Sequence, residues 1–297
     1  MSSSFRAFFW NARGVANPAT QRYIAHLCRT HRPHLVGIAE PWTWTHSVRD
    51  FWFALGLKLF AVNNSGTVAP NLWIFHAEQV SAALVSASAQ QVSLSVMIHN
   101  TTCFFSMIYA STTVFSRRQL WRELHLLNCQ GPWCCMGDFN AVLGAHEKTG
   151  GRPPPTISCD DFLSFTNDAD LHHLPTSGSF LTWTNGRRGR NNIQLHLDRA
   201  LCNSIGIDFW NNLNVVALPR FKSDHSPLLL TCHHGSTRFA TSFKFLRVWC
   251  EDNSCKDIVQ QAWSKQFYGC PMFVLSEKLK AVKHALKSWN RNHFGHI

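Results

Sequence analysis

The 297-residue sequence has no Cys-x-x-Cys pair, no long unbroken apolar run, no internal repeat and no low-complexity segment. Its eleven cysteines show no metal-ligand spacing, and their odd number argues against a disulfide framework. Cys134 and Cys135 are adjacent in an apolar run and read as small buried hydrophobes, so the reduced interior of a cell is the expected compartment. The most apolar stretch, Val92–Ala110, is broken by Ser93, Ser95, His99, Asn100, Thr101 and Thr102. That pattern predicts two strands and a turn, and no membrane span. No basic segment followed by a long apolar one opens the chain, so no secretory signal is expected.

Acidic residues are also in short supply: 17 Asp and Glu stand against 28 Lys and Arg, for a net charge of +11. A basic chain favours anionic partners such as nucleic acid, phosphorylated ligands or an acidic membrane surface. Residues 1–232 hold 18 basic and 13 acidic residues, and residues 233–297 hold 10 and 4, so the tail is denser in positive charge. The hydrophobic fraction of 45%, with 12 Trp and 22 Phe, predicts a packed globular body with a large core.

Short apolar runs bounded by turn residues predict strands at 5–10, 35–40, 57–62, 71–75, 80–86, 92–99, 103–109, 133–137, 180–184, 195–201, 213–218 and 227–232. A helix follows Asn17-Pro18, where Asn caps and Pro takes the first turn; Ile24, Leu27 and Cys28 form its inner stripe. Further helices are expected at 115–127 and 159–168. The fold class is α+β, a four-layer α/β sandwich of two packed sheets flanked by helices. A boundary is expected near 233–241. Beyond it lie helices at 253–267 and from Pro271 to about His293, with Leu275, Leu279, Val282, Leu286 and Trp289 on one stripe and Lys280, Lys283 and Lys287 on another face. The expected organisation is one domain at 1–232 followed by a helical extension at 233–297.

Four places at strand ends carry chemistry. Asn11, in Trp10-Asn11-Ala12-Arg13-Gly14, is either a turn former or an amide aimed at phosphate or metal. Glu40 follows an apolar strand directly, where a carboxylate is desolvated unless paired, and Mg²⁺ is a natural partner. Asp138 and Asn140, in Gly137-Asp138-Phe139-Asn140, point to one side of an extended segment and can hold a water and a phosphate oxygen. In Ser223-Asp224-His225 an acid stands beside a histidine whose tautomer it can orient.

In order and spacing these elements resemble the endonuclease/exonuclease/phosphatase family, above all the endonuclease domain of plant LINE-type (non-LTR) retrotransposons. The resemblance spans residues 5–232. It also rests on Ile108-Tyr109-Ala110-Ser111, Thr182-Trp183-Thr184-Asn185 and Leu197-Asp198-Arg199, with further likeness at 117–121 and 147–151. It implies a metal-dependent phosphodiesterase, most simply a DNA-nicking endonuclease using Mg²⁺ or Mn²⁺. Glu40 would bind the metal, assisted by Asn11; Tyr109 would bond the scissile phosphate; Asp138 would position or deprotonate the attacking water, with Asn140 on the phosphate. Asp198 and Asp224 would orient His225, the hydrogen-bond donor or general acid/base, and Thr182 and Arg13 would approach the DNA backbone.

The same resemblance makes 243–294 the connector that precedes a reverse transcriptase, so the chain reads as a truncated element product acting in the nucleus. An inert remnant and a phosphatase of the same fold are the alternatives. Three departures stand out. Arg13 replaces the acid of repair-type relatives, which argues against abasic-site repair. His196 stands where Arg is usual, and the loop Ser65–Pro70 lacks the usual Gly-rich run.

Overall fold

The computed structural model describes residues 3–63, 69–127, 129–234, 245, 249, 252–267 and 271–293. It divides into two compact units, Met1–Phe239 and Ala240–Ile297. The first unit runs β1 (Ser3–Asn11), α1 (Pro18–His31), β2 (Leu35–Ala39), α2 (Arg49–Phe53), β3 (Leu57–Val62), β4 (Leu72–Ala77), β5 (Ala82–Ala87), β6 (Gln91–Ile98) and β7 (Thr101–Tyr109). It continues with α3 (Val114–Leu126), β8 (Trp133–Asp138), β9 (Lys148–Thr149), α4 (Thr156–Asp168), β10 (Leu171–His173), β11 (Thr176–Gly178), β12 (Trp183–Thr184) and β13 (Gln194–Leu195). It closes with β14 (Asp198–Asn203), α5 (Ser204–Phe209), β15 (Asn212–Ala217) and β16 (Leu228–His234).

These strands form a seven-stranded sheet, β11-β15-β16-β1-β2-β4-β3, a six-stranded sheet, β10-β14-β8-β7-β6-β5, and a small sheet, β12-β13-β9. The two large sheets pack face to face through one core that joins Phe9, Ile38 and Trp73 of the first to Phe105, Met107 and Met136 of the second. At Gly37 a Cβ would meet Phe9 and Met107 at 3.0–3.1 Å, so this glycine sets how closely the sheets approach. α1 buries Ile24 and Leu27 in the same core, and Leu120 and Trp121 of α3 with Phe162 and Phe165 of α4 cover the outer side of the second sheet. This is the four-layer sandwich expected from the strand and helix pattern. β2, β8 and β14 are buried at every residue; in β2 this follows from an unbroken apolar run, whereas β8 and β14 also bury Asp138, Asp198, Arg199 and Asn203.

Local signals explain the helix starts. Asn17 Oδ1 accepts from Ala19 N (2.8 Å), with Pro18 at the first position, and Arg32 closes α1 in left-handed backbone. The helix expected from Cys159 begins at Thr156. α2 and α5 are too short for their periodicity to show in the sequence. The strand expected at 180–184 shrinks to β12, and the one expected at 195–201 splits into β13 and β14. The chain leaves the small sheet for the large one at His196 and Leu197, and a continuous run of strand-forming residues does not reveal such a transfer.

Register places the site. In β1, Asn11 pairs with Ala39 of parallel β2, so Glu40 emerges beside it. In the second sheet Tyr109 pairs with Asp138, and Asp138 with Asp198. β16 begins opposite Phe9, leaving His225 just beyond the same sheet end. No disulfide joins any two of the nine described cysteines. No described helix is long and apolar enough to cross a membrane.

In the second unit α6 (Asn253–Trp263) and α7 (Pro271–His293) close over Trp249, Cys255, Leu286 and Trp289, with Val282 packed alongside. Leu275 and Leu279, expected on the same buried stripe, are exposed. α6 has 11 residues and α7 has 23, so the shorter helix covers only part of the longer one's apolar side. The expected boundary at 233–241 and the loop Ser65–Pro70 fall mostly outside the described residues.

Candidate active site

Six strands, β1, β2, β7, β8, β14 and β16, deliver side chains at or just beyond their ends to one rim of the sandwich. Asn11 ends β1 fully buried; its Nδ2 donates to Glu40 Oε1 (2.9 Å) and Asp138 Oδ2 (3.2 Å) and lies 3.4 Å from His225 Nε2. Tyr109, at the end of β7, donates its hydroxyl to the same Glu40 oxygen (2.9 Å). Asp138 ends β8, 1% exposed, and accepts from Asn140 N at Oδ1 (3.0 Å) and Asn140 Nδ2 at Oδ2 (3.3 Å). Asp198 opens β14 and lies 3.0 and 3.1 Å from His225 Nδ1, while His225 Nε2 faces Asp138 Oδ2 at 3.7 Å.

Backbone conformation serves this convergence. Gly137 has φ +151°, and a Cβ there would fall 2.0 Å from the Ile108 carbonyl oxygen, so no other residue fits before Asp138. Arg13, Glu40 and Asn140 all adopt left-handed backbone, which for the first two costs on the order of 1–3 kcal/mol each and is typical of functional sites.

Comparison with known proteins follows this geometry. Residues 8–225 match the Endonuclease/Exonuclease/phosphatase family. The chain belongs to that family. Among solved structures it is similar to the endonuclease domain of TRAS1, a telomere-specific non-LTR retrotransposon, at 14% identity and TM-score 0.58, covering 77% of this chain and 98% of that one. It is also similar to the AP endonuclease LMAP from Leishmania major (10% identity, TM-score 0.58, covering 78% and 88%). A third likeness is to D. rerio TDP2 complexed with single strand DNA product (11% identity, TM-score 0.56, covering 79% and 100%). At these identities the likeness is one of fold. No curated protein sequence matches the chain significantly.

Within the family's frame the electrostatics are uneven. Burial pushes the Asp138 carboxyl up to about 6, reinforced by Asp198 and opposed by His225. Burial works against a charged His225, but Asp198 and then Asp138 outweigh it and raise the imidazole to about 9. At neutral pH the rim therefore holds a protonated His225 between two carboxylates, with Asp138 poised near neutrality. Burial and the neighbouring Glu40 raise the Tyr109 phenol, which stays a neutral donor.

The donor set fits a hard divalent cation. Asn11 Oδ1 is buried without a partner, and Glu40 and Asp138 turn oxygens toward the same amide. A half-turn of that amide puts an oxygen among these oxygens, the ligand chemistry that Mg²⁺ prefers. Asp138, Asp198 and His225 also bring one ligand atom each within 4.8 Å of one another. There, however, both imidazole nitrogens face acceptors, which is the arrangement of a proton relay.

Two expected roles need correction. Thr182 is fully buried, and its Oγ1 accepts from Leu197 N (3.1 Å) and Asp198 N (2.9 Å), so its hydroxyl is used inside the protein to fix the entry to β14. Asp224 does not orient the His225 ring. Its Oδ2 accepts from Arg13 Nη1 (2.6 Å) and Trp183 Nε1 (2.9 Å), because in the Asp224-His225 segment successive side chains diverge. Arg13 also pairs with Glu40 (3.3 Å), so it bridges the two acids. Tyr109 and Asn140 are spoken for inside the site, by Glu40 and by Ala110 O (2.8 Å). Sequence reading missed Ser223, whose hydroxyl donates to Asn11 O (2.7 Å) and accepts from His225 N (3.1 Å), tying the histidine to β1. A serine two residues before the functional histidine was the available signal.

Proposed function

We propose that this chain is a metal-dependent phosphodiesterase that nicks DNA, of the kind non-LTR retrotransposons use. The observation that carries this reading is the buried Asp138–His225–Asp198 relay beside the oxygen ligands Asn11 and Glu40. Attack on a phosphodiester gathers negative charge on the phosphate oxygens, and fixed donors stabilise it. His225, held protonated by Asp198, supplies one such donor at Nε2. Asp138 takes a proton from the attacking water at a carboxyl tuned near neutral pH. Asn140 braces Asp138 through two hydrogen bonds. Glu40, with Asn11 and Asp138, would hold Mg²⁺ or Mn²⁺, which supplies Lewis-acid stabilisation of the phosphate when bound.

DNA is favoured over small phosphoesters by the net charge of +11 and by Arg187, Arg188 and Arg190, which are exposed on the connection that follows Trp183. The similarity to a non-LTR retrotransposon endonuclease domain and to a TDP2 complexed with single strand DNA product supports the same choice. The test is conversion of supercoiled plasmid to open circles with Mg²⁺, with EDTA, and with Asp138→Ala and His225→Ala variants. Metal-dependent nicking lost in both variants is expected. No nicking by folded wild-type protein would sink the reading and leave a phosphatase or an inert remnant.

A further inference from the structure

Beside Glu40 the chain holds two indoles that no core uses. Trp42 is 63% exposed and Trp44 is 56% exposed, whereas Trp10, Trp52 and Trp73 are buried. Large aromatic surface kept in water next to a reaction centre marks a binding surface.

Trp42 is fixed in place. It adopts φ +49°, a left-handed conformation that a bulky residue keeps only where its surroundings impose it. Gly14 N donates to Glu40 O (2.8 Å) and Val15 N to Pro41 O (2.9 Å), stitching this segment to the one that follows β1. The Arg13 guanidinium lies 5.2 Å from the Trp42 ring centroid and pairs at the same time with Glu40 and Asp224. The indole is thus locked through Arg13 to two acids of the rim, with most of its surface still open.

We propose that Trp42 is a nucleobase-stacking subsite, which takes an unpaired base next to the phosphodiester that the rim cleaves. This rests on the nuclease reading above. An unpaired base offers a free π-face, and an aromatic ring holds it whatever its identity. A base inside regular duplex has both faces covered, so the subsite selects single-stranded or locally unstacked DNA. A lipid surface fits less well, because Thr43, Thr45, His46 and Ser47 around Trp44 offer no continuous apolar patch.

The test compares wild type, Trp42→Ala and Trp42→Phe, each shown by thermal unfolding to be folded. Binding of a fluorescein-labelled single-stranded oligonucleotide is read by anisotropy in EDTA. Nicking of a bulged and of a fully paired duplex is read in Mg²⁺. Trp42→Ala is expected to weaken single-strand binding about tenfold and to raise KM for the bulged duplex with kcat unchanged, while Trp42→Phe keeps most of both. Unchanged binding and KM in Trp42→Ala, with nicking intact, overturns the subsite and leaves the nuclease standing. Equal losses on bulged and paired duplex overturn base stacking. Loss of binding to anionic phospholipid vesicles alone overturns it in favour of a lipid contact. Wild type that neither binds nor nicks DNA overturns the nuclease reading itself.

Discussion

The first unit holds two charged clusters, and they differ in what is left over. Around Arg199 the charges close on themselves. Its guanidinium meets both Glu147 oxygens (3.1 and 2.7 Å), Glu147 also accepts from Leu143 N (2.7 Å), and the guanidinium lies 5.2 Å from the Phe162 ring centroid. The atoms without partners there are nitrogens, Arg199 Nε and His173 Nε2. At the rim the atoms without partners are oxygens, Asn11 Oδ1 and Asp224 Oδ1, and four acids face Arg13 and His225. A closed cluster has its charges answered by protein and holds loops together. An open one keeps unanswered oxygens for a cation and a substrate.

The largest expected effects break the open cluster. His225→Ala and Asp138→Asn should each lower nicking by about 10²–10⁴-fold, the usual range for a lost general acid or base, with thermal unfolding still cooperative. The reverse holds at the closed cluster. Glu147→Ala leaves Arg199 charged, buried and unpaired, and should lower stability by about 3–5 kcal/mol in urea denaturation; the double variant Glu147→Leu/Arg199→Met should recover most of that.

The two clusters should also respond to pH with opposite sign. Burial and then Arg199 lower His173 to about 3. Its stabilisation is complete above its unfolded pKa of about 6.5 and fades as pH falls toward 3, on the order of 1–2 kcal/mol between pH 7 and pH 5. His225 is raised to about 9, so in metal-free protein its stabilisation is complete below about pH 6.5 and fades as pH rises through 9. Thermal midpoints across pH 4 to pH 10 are the measurement. His173→Gln should flatten the acid limb and His225→Gln the alkaline limb; no change in either limb would remove these histidines from the account. The smallest effect is expected at Asp224. Asp224→Asn should cost less than about tenfold in kcat, well below Asp198→Asn, because Asp198 and not Asp224 bonds His225 Nδ1.

Much of the rim was legible because each polar residue ends or follows an apolar run. Asn11, Glu40 and Asp138 each stand where a buried strand meets the surface, and the Gly137 that Asp138 needs is adjacent. The strand pattern carried the two-sheet sandwich and both terminal helices. The roles of Thr182 and Asp224 were not legible, because motif membership does not say which way a side chain turns. Nor was the Glu147–Arg199 pair, whose partners lie 52 residues apart and meet only through β9, β13 and β14. Trp42 gave no signal among twelve tryptophans, since its exposure depends on the left-handed turn after Glu40.

By itself the sequence determined which residue types stand at the strand ends, the alternation of strands and helices, and the basic charge. These are local or additive properties, and spacing and composition carry them. Only the tertiary structure decided that Asp198 and not Asp224 holds His225, that Arg13 bridges Glu40 and Asp224, and that Trp42 is held out beside them. Those outcomes depend on register between strands distant in the chain, and register is settled by packing two sheets at once.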